Sequence, residues 1–219
     1  MTRATPAFDR RRDLRLALEA AGLFGVAPIA VAVLLPPSAM FPALLAVTLL
    51  GLFLLNRTPG FHWHELLRGR LFPGEALAFA AVCAGVSYVV VMLTEPRALF
   101  YLPKHDPQLM LTILLLYPVL SALPQELVFR PLFFRRYGHL LPPGAVLWVN
   151  AAVFSLAHLM YWSWIVAAMT FFGGLCFARA YGVQRSFPQA VLLHTVAGSI
   201  VFAFGLGMFF YTGNVERPF

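Results

Sequence analysis

The sequence predicts an all-α integral membrane protein, a polytopic bundle of about seven transmembrane helices with the N-terminus inside and the C-terminus outside. Three observations carry that expectation. Of the 219 residues, 60% are hydrophobic and only 11% charged, where a soluble domain is about half apolar and a quarter charged. The mean hydropathy is +0.78. The apolar residues gather in runs near the length of about 20 that crosses a hydrocarbon core as a helix.

Seven such segments follow in order: 17–35, 40–55, 75–94, 108–130, 144–161, 164–181 and 188–211. Pro36, Pro37 and Pro42 mark a tight hairpin between the first two, the second being short. No small-residue cleavage site closes the first run, so it reads as a retained helix behind the basic stretch "MTRATPAFDRRRDLR". Between the second and third lies "FHWHELLRGRLFPG" (61–74), an interfacial segment with Trp63, His62 and His64 at headgroup level. No repeat or soluble module interrupts the chain, so 1–219 reads as one transmembrane domain.

The charges set the orientation. With the N-terminus in the cytoplasm, thirteen basic residues fall inside, from Arg3 to Arg185, and three outside, Arg97, Lys104 and Arg217. That asymmetry obeys the positive-inside rule. A net charge of +7 placed at helix ends serves the lipid bilayer and argues against a nucleic-acid partner. The arginine-rich, compact loops fit a bacterial inner membrane. Cys83 and Cys176 each sit within an apolar run, which excludes a disulfide framework or a cysteine metal site.

Ionisable groups inside spans are costly and mark function by default. Glu19, Glu75 and Arg179 lie near span ends, where they reach the interface. Glu126, Arg130, His158 and His194 lie deeper. At 1.5 Å of rise per residue, Glu126, His158 and His194 stand roughly 15, 21 and 10 Å from the cytoplasmic ends of their helices. Tilts of about 20° bring such depths level. Pro118, Pro124 and Pro131 each remove a backbone hydrogen bond from the Glu126 helix, and broken helices at membrane depth line protected or wet cavities. Three arrangements fit the residues. A glutamate with a histidine can draw a proton from water while a second histidine steadies the oxyanion. The same trio can ligate zinc, although no HExxH is present. Or Glu126 and Arg130, four apart on one face, form an ion pair beside two hydrogen-bonded histidines.

Three stretches in order, "QELVFR" (125–130), "FSLAH" (154–158) and "HTVAG" (194–198), resemble the motifs EExxxR, FxxxH and HxxxN of the CAAX protease and bacteriocin-processing (CPBP/Abi) family. The resemblance spans 108–205, a catalytic core of four helices. It implies a glutamate-type intramembrane endopeptidase without a cofactor, acting on a peptide or lipidated protein substrate in the membrane. Glu126, His158 and His194 then become the catalytic residues: Glu126 and His158 activate water and His194 stabilises the oxyanion. Gln125, Arg130 and Phe154 support them. Two positions depart from the pattern. Gln125 replaces the first glutamate, and an amide cannot serve as a base. Gly198 replaces the asparagine, for which Asn150 and Ser199 are candidate substitutes or ordinary interhelical bonding residues. Those departures also permit the alternative of an inactive relative acting as a scaffold or bacteriocin-immunity protein.

Overall fold

The computed structural model describes residues 10–219, so Arg3 of the basic N-terminal stretch lies outside the described residues. Seven apolar helices run through it: α1 (Arg10–Leu34), α2 (Pro37–Asn56), α3 (Pro73–Thr94), α4 (Pro107–Leu140), α5 (Val146–Tyr161), α6 (Trp164–Gly182) and α7 (Phe187–Ala203). Five are long and apolar enough to cross a membrane; α5 and α7 are shorter than 18 residues. Among the described residues there is no strand. The chain is a polytopic helical membrane protein.

The outward faces are lipid-like. Leu45 and Leu49 of α2, Leu77 and Leu93 of α3, and Leu111 and Leu115 of α4 are all exposed. A helix apolar on its outer face suits a hydrocarbon solvent. Inward, Phe24 of α1 meets Phe129, Phe133 and Tyr137 of α4 edge-on, at centroid distances of 5.5, 5.3 and 5.7 Å. Leu55, Leu132, Phe154, Phe177 and Leu193 complete the same core. α5 packs along α6, and α7 lies against both α6 and α3.

Helix ends follow local chemistry. Pro37, Pro73, Pro107 and Pro188 all sit in first turns, where a missing N–H costs nothing. Side-chain oxygens of Asp106, Ser163 and Ser186 accept from the backbone three residues on, capping α4, α6 and α7. The expected span 108–130 continues to Leu140, because Pro131 is absorbed in widened turns over Val128–Tyr137 and does not end the helix. A second widened stretch, Pro118–Ala122, follows Pro118. The expected span 188–211 ends instead at Ala203, where Gly205 turns the chain at φ 94°.

The charges near helix ends pair between helices. Glu19 of α1 takes Arg136 Nε at 2.5 Å and the Tyr137 hydroxyl at 2.7 Å, both from α4. Glu75 of α3 meets Arg179 of α6 at 2.8 Å. The interfacial segment is tied down twice: Arg135 reaches Glu65 at 3.0 Å, and the Phe72 N–H donates to Gln189 Oε1 at 3.0 Å. These contacts fix the ends of the helices that carry the site.

Close approach of α5 to α6 depends on Gly174, where an added Cβ would stand 2.8 Å from Phe154 Cδ1. Gly174→Val is therefore expected to cost about 1–3 kcal/mol through overpacking. Thermal unfolding in detergent checks this, and an unchanged midpoint would mean that Phe154 yields freely.

Candidate active site

The polar residues of α4, α5 and α7 meet around Phe154. Arg130 is fully buried, and every donor direction it uses has a partner. Its Nε donates to Glu126 Oε2 at 2.8 Å and its Nη2 to Glu126 Oε1 at 3.3 Å. Its Nη1 donates to Asn150 Oδ1 of α5. The guanidinium also lies 5.1 Å from the centroid of Phe154 and 5.8 Å from that of Phe177, an additional cation–π attraction. A buried charge is tolerated only when paired and hydrogen-bonded in this way.

Asn150 spends both ends of its amide here, because its Nδ2 donates to the Phe129 carbonyl at 2.7 Å. It is the interhelical anchor of Arg130, fully buried and away from the cavity wall.

Glu126 is buried to 0% exposure and does not line the cavity described below. Its Oε1 lies 2.9 Å from His194 Nδ1. A carboxylate offers only acceptors, so the His194 Nδ1–H donates and the neutral ring keeps its lone pair on Nε2. His194 is held further by Phe177, stacked at 4.9 Å and 12°, by the edge of Phe154 at 5.5 Å and by Tyr117 at 5.9 Å. His158 is set differently. It occupies the point near the end of α5 where the helix tightens to a three-residue turn. Its Nδ1 donates to the Phe154 carbonyl at 2.8 Å, which likewise leaves Nε2 as an acceptor. Glu126 thus contacts His194, and among the described residues no hydrogen bond joins it to His158.

A cavity of about 970 Å³ opens on this cluster, at the upper end of ligand-pocket sizes. One side is apolar, with Leu23, Phe24 and Val31 of α1 and Met40, Leu44 and Val47 of α2. The other side carries Tyr117, Ser121 and Gln125 of α4, His158 and Tyr161 of α5, and His194 and Gly198 of α7. Consecutive residues on a helix point about 100° apart, so Gln125 reaches the cavity while Glu126 turns toward Arg130. The Gln125 Nε2 donates to Ser121 Oγ at 3.0 Å. Among the described residues no group of three His, Cys, Asp or Glu side chains is placed to hold a metal ion.

Residues 107–200 match the family model described as type II CAAX prenyl endopeptidase Rce1-like. This match supports the CAAX protease family. No curated protein and no solved structure matches the chain. The match covers α4 to α7, where the polar cluster lies, and supports a CAAX-type intramembrane protease at family level.

Sequence reasoning drew Glu126, Arg130, His158, His194, Gln125 and Phe154 toward one region, and the structure brings all six there. It passed over three contributors to the polar cluster and its cavity. Phe177 and Tyr117 are ordinary aromatic residues of apolar helices, and nothing in composition separates them from core. Ser121 had a signal: Tyr117, Ser121 and Gln125 recur every fourth residue along one face of α4.

Proposed function

We propose that the chain is an intramembrane endopeptidase that hydrolyses a peptide bond of a membrane-associated or prenylated substrate, with the Glu126–His194 pair handling the proton. The observation that carries this reading is the 2.9 Å contact between a guanidinium-held carboxylate and an imidazole on the cavity wall. A carboxylate behind an imidazole fixes its tautomer and stabilises the imidazolium that forms, without itself taking the proton.

In the proposed reaction, His194 Nε2 takes a proton from water and the resulting hydroxide attacks the carbonyl carbon. The carbonyl oxygen becomes the oxyanion. Collapse of the tetrahedral intermediate breaks the C–N bond, and the imidazolium returns its proton to the departing amine. His158 Nε2 accepts from the attacking water and aligns it. The second amide hydrogen of Gln125 faces the growing oxyanion, a donor role that an amide can fill where it cannot serve as base. As drawn, the chemistry uses no cofactor. With Arg130 assigned to the buried cluster, the remaining twelve-to-three basic asymmetry supports an N-terminus in the cytoplasm, as in a bacterial inner membrane.

A second reading is a relative that binds a peptide without cutting it. It is favoured by the amide at Gln125 and by Glu126, whose Oε1 and Oε2 are both hydrogen-bonded within the protein. Quantitative profiling of protein termini separates the two, comparing membranes from cells with the native chain, His194→Ala, His158→Ala or no copy. A new terminus with the native chain, lost in His194→Ala and more weakly reduced in His158→Ala, is the expected result. Identical termini in all four membranes, with each variant inserted and folded, would favour the binding role. Greater loss in His158→Ala would move the proton-handling role to His158.

A further inference from the structure

Gly198 raises a question that its own atoms do not answer, because glycine supplies no side chain to the cavity wall it helps to line. The space is taken. A Cβ added at Gly198 would stand 2.6 Å from the Tyr117 hydroxyl oxygen and closer still to the edge of its ring. Tyr117 comes from α4, at the last residue before the widened turn that begins at Pro118, and its ring sits edge-on to His194 at 5.9 Å and 74°. Tyr117, Ser121, Gln125, His194 and Gly198 all line the one cavity.

Hydrogen-bond direction decides what the phenol can offer. The Gln125 amide donates to Ser121 Oγ at 3.0 Å, so the Ser121 hydrogen is free to be given elsewhere. Tyr117 stands four residues before Ser121 on α4, and both line the cavity. A phenol carries one O–H donor, and on the cavity wall that hydrogen can be given to a bound partner.

From this geometry we propose that Tyr117 is a catalytic residue, the donor that binds the carbonyl oxygen of the scissile bond as it gains charge, with its hydroxyl filling the place that a side chain at 198 would otherwise take. The proposal rests on the peptidase reading of the same site. The phenol lends a hydrogen bond and keeps its proton; the proton that moves is the water's, through His194. Glycine at 198 is then a requirement of the tyrosine, because any larger residue displaces the donor.

The test uses the full chain in lipid nanodiscs and a hydrophobic peptidyl trifluoromethyl ketone, whose hydrate mimics the tetrahedral intermediate. Fluorine NMR reads its binding, and the matching secondary alcohol serves as control. Tyr117→Phe keeps the ring and removes only the hydroxyl. It is expected to weaken ketone binding about tenfold or more, as for one hydrogen bond to a charged group, with alcohol binding unchanged. The yield of the new terminus is expected to fall about 10²-fold. Equal ketone affinity in native and Tyr117→Phe chains would overturn the proposal whether or not cleavage occurs, as would a native chain that does not bind the ketone. If the native chain binds the ketone with the Tyr117 effect but produces no terminus, the donor stands and the peptidase reading falls.

Discussion

Replacing Glu126 with glutamine is expected to lower cleavage by about 10³–10⁴-fold while the helices remain inserted. The size follows from hydrogen-bond direction. Arg130 Nε donates to Glu126 Oε2 at 2.8 Å, the shorter of its two contacts, so the amide oxygen of a glutamine belongs there. Its NH₂ group then faces His194 Nδ1, where the carboxylate Oε1 stood at 2.9 Å. A donor at that place forces the proton of His194 onto Nε2 and removes the lone pair that would take a proton from water. Wrong-tautomer substitutions behind a catalytic histidine have effects of about this size. The check is the rate of terminus formation in membranes matched for protein level. Near-native cleavage in Glu126→Gln would remove the Glu126–His194 pair from the mechanism.

The largest effect on stability is expected at Arg130. Arg130→Met removes the guanidinium that satisfies both Glu126 and Asn150, leaving a buried carboxylate held by His194 alone. Breaking a buried ion pair from one side costs about 3–5 kcal/mol. The double variant Glu126→Gln with Arg130→Met is expected to recover part of that loss, since no unpaired charge remains. Unfolding in detergent, followed by helical circular dichroism, measures both. A double variant as unstable as Arg130→Met alone would place the cost in the packing of the guanidinium on Phe154 and Phe177 instead of in its charge.

What the sequence made legible follows from how sharply each feature contrasts with its surroundings. Seven apolar runs announce seven helices, because hydrocarbon demands them and punctuation by proline and charge separates them. Charged and imidazole groups inside such runs stand out for the same reason, so Glu126, Arg130, His158 and His194 are found without a structure. Helix ends were less legible. Pro131 looks like a stop, yet the widened turns of α4 absorb it and carry the helix nine residues further to Leu140. The same turns alter rotational phase, which linear spacing does not record. The motifs join Glu126 and His158 in activating water; in space the histidine hydrogen-bonded to Glu126 is His194. Asn150 was legible only as one of two uses, and its contact with Arg130 selects the interhelical bond. Tyr117 and Phe177 were silent because an aromatic residue in an apolar helix is the most ordinary of occurrences.

The two-sided cavity has a consequence for what such a site recognises. Against the wall from α1 and α2, a peptide group finds no partner, and each unmet N–H or C=O in hydrocarbon costs several kcal/mol. Against the wall from α4, α5 and α7 it finds amide, hydroxyl and imidazole groups. A segment still coiled has already spent its backbone polarity internally and gains nothing by turning toward the second wall. One that has come unwound gains a great deal. Under the peptidase reading, selection is by loss of local order in the substrate more than by its side-chain identity. Substrates would then share a weak point in a helix before they share a sequence.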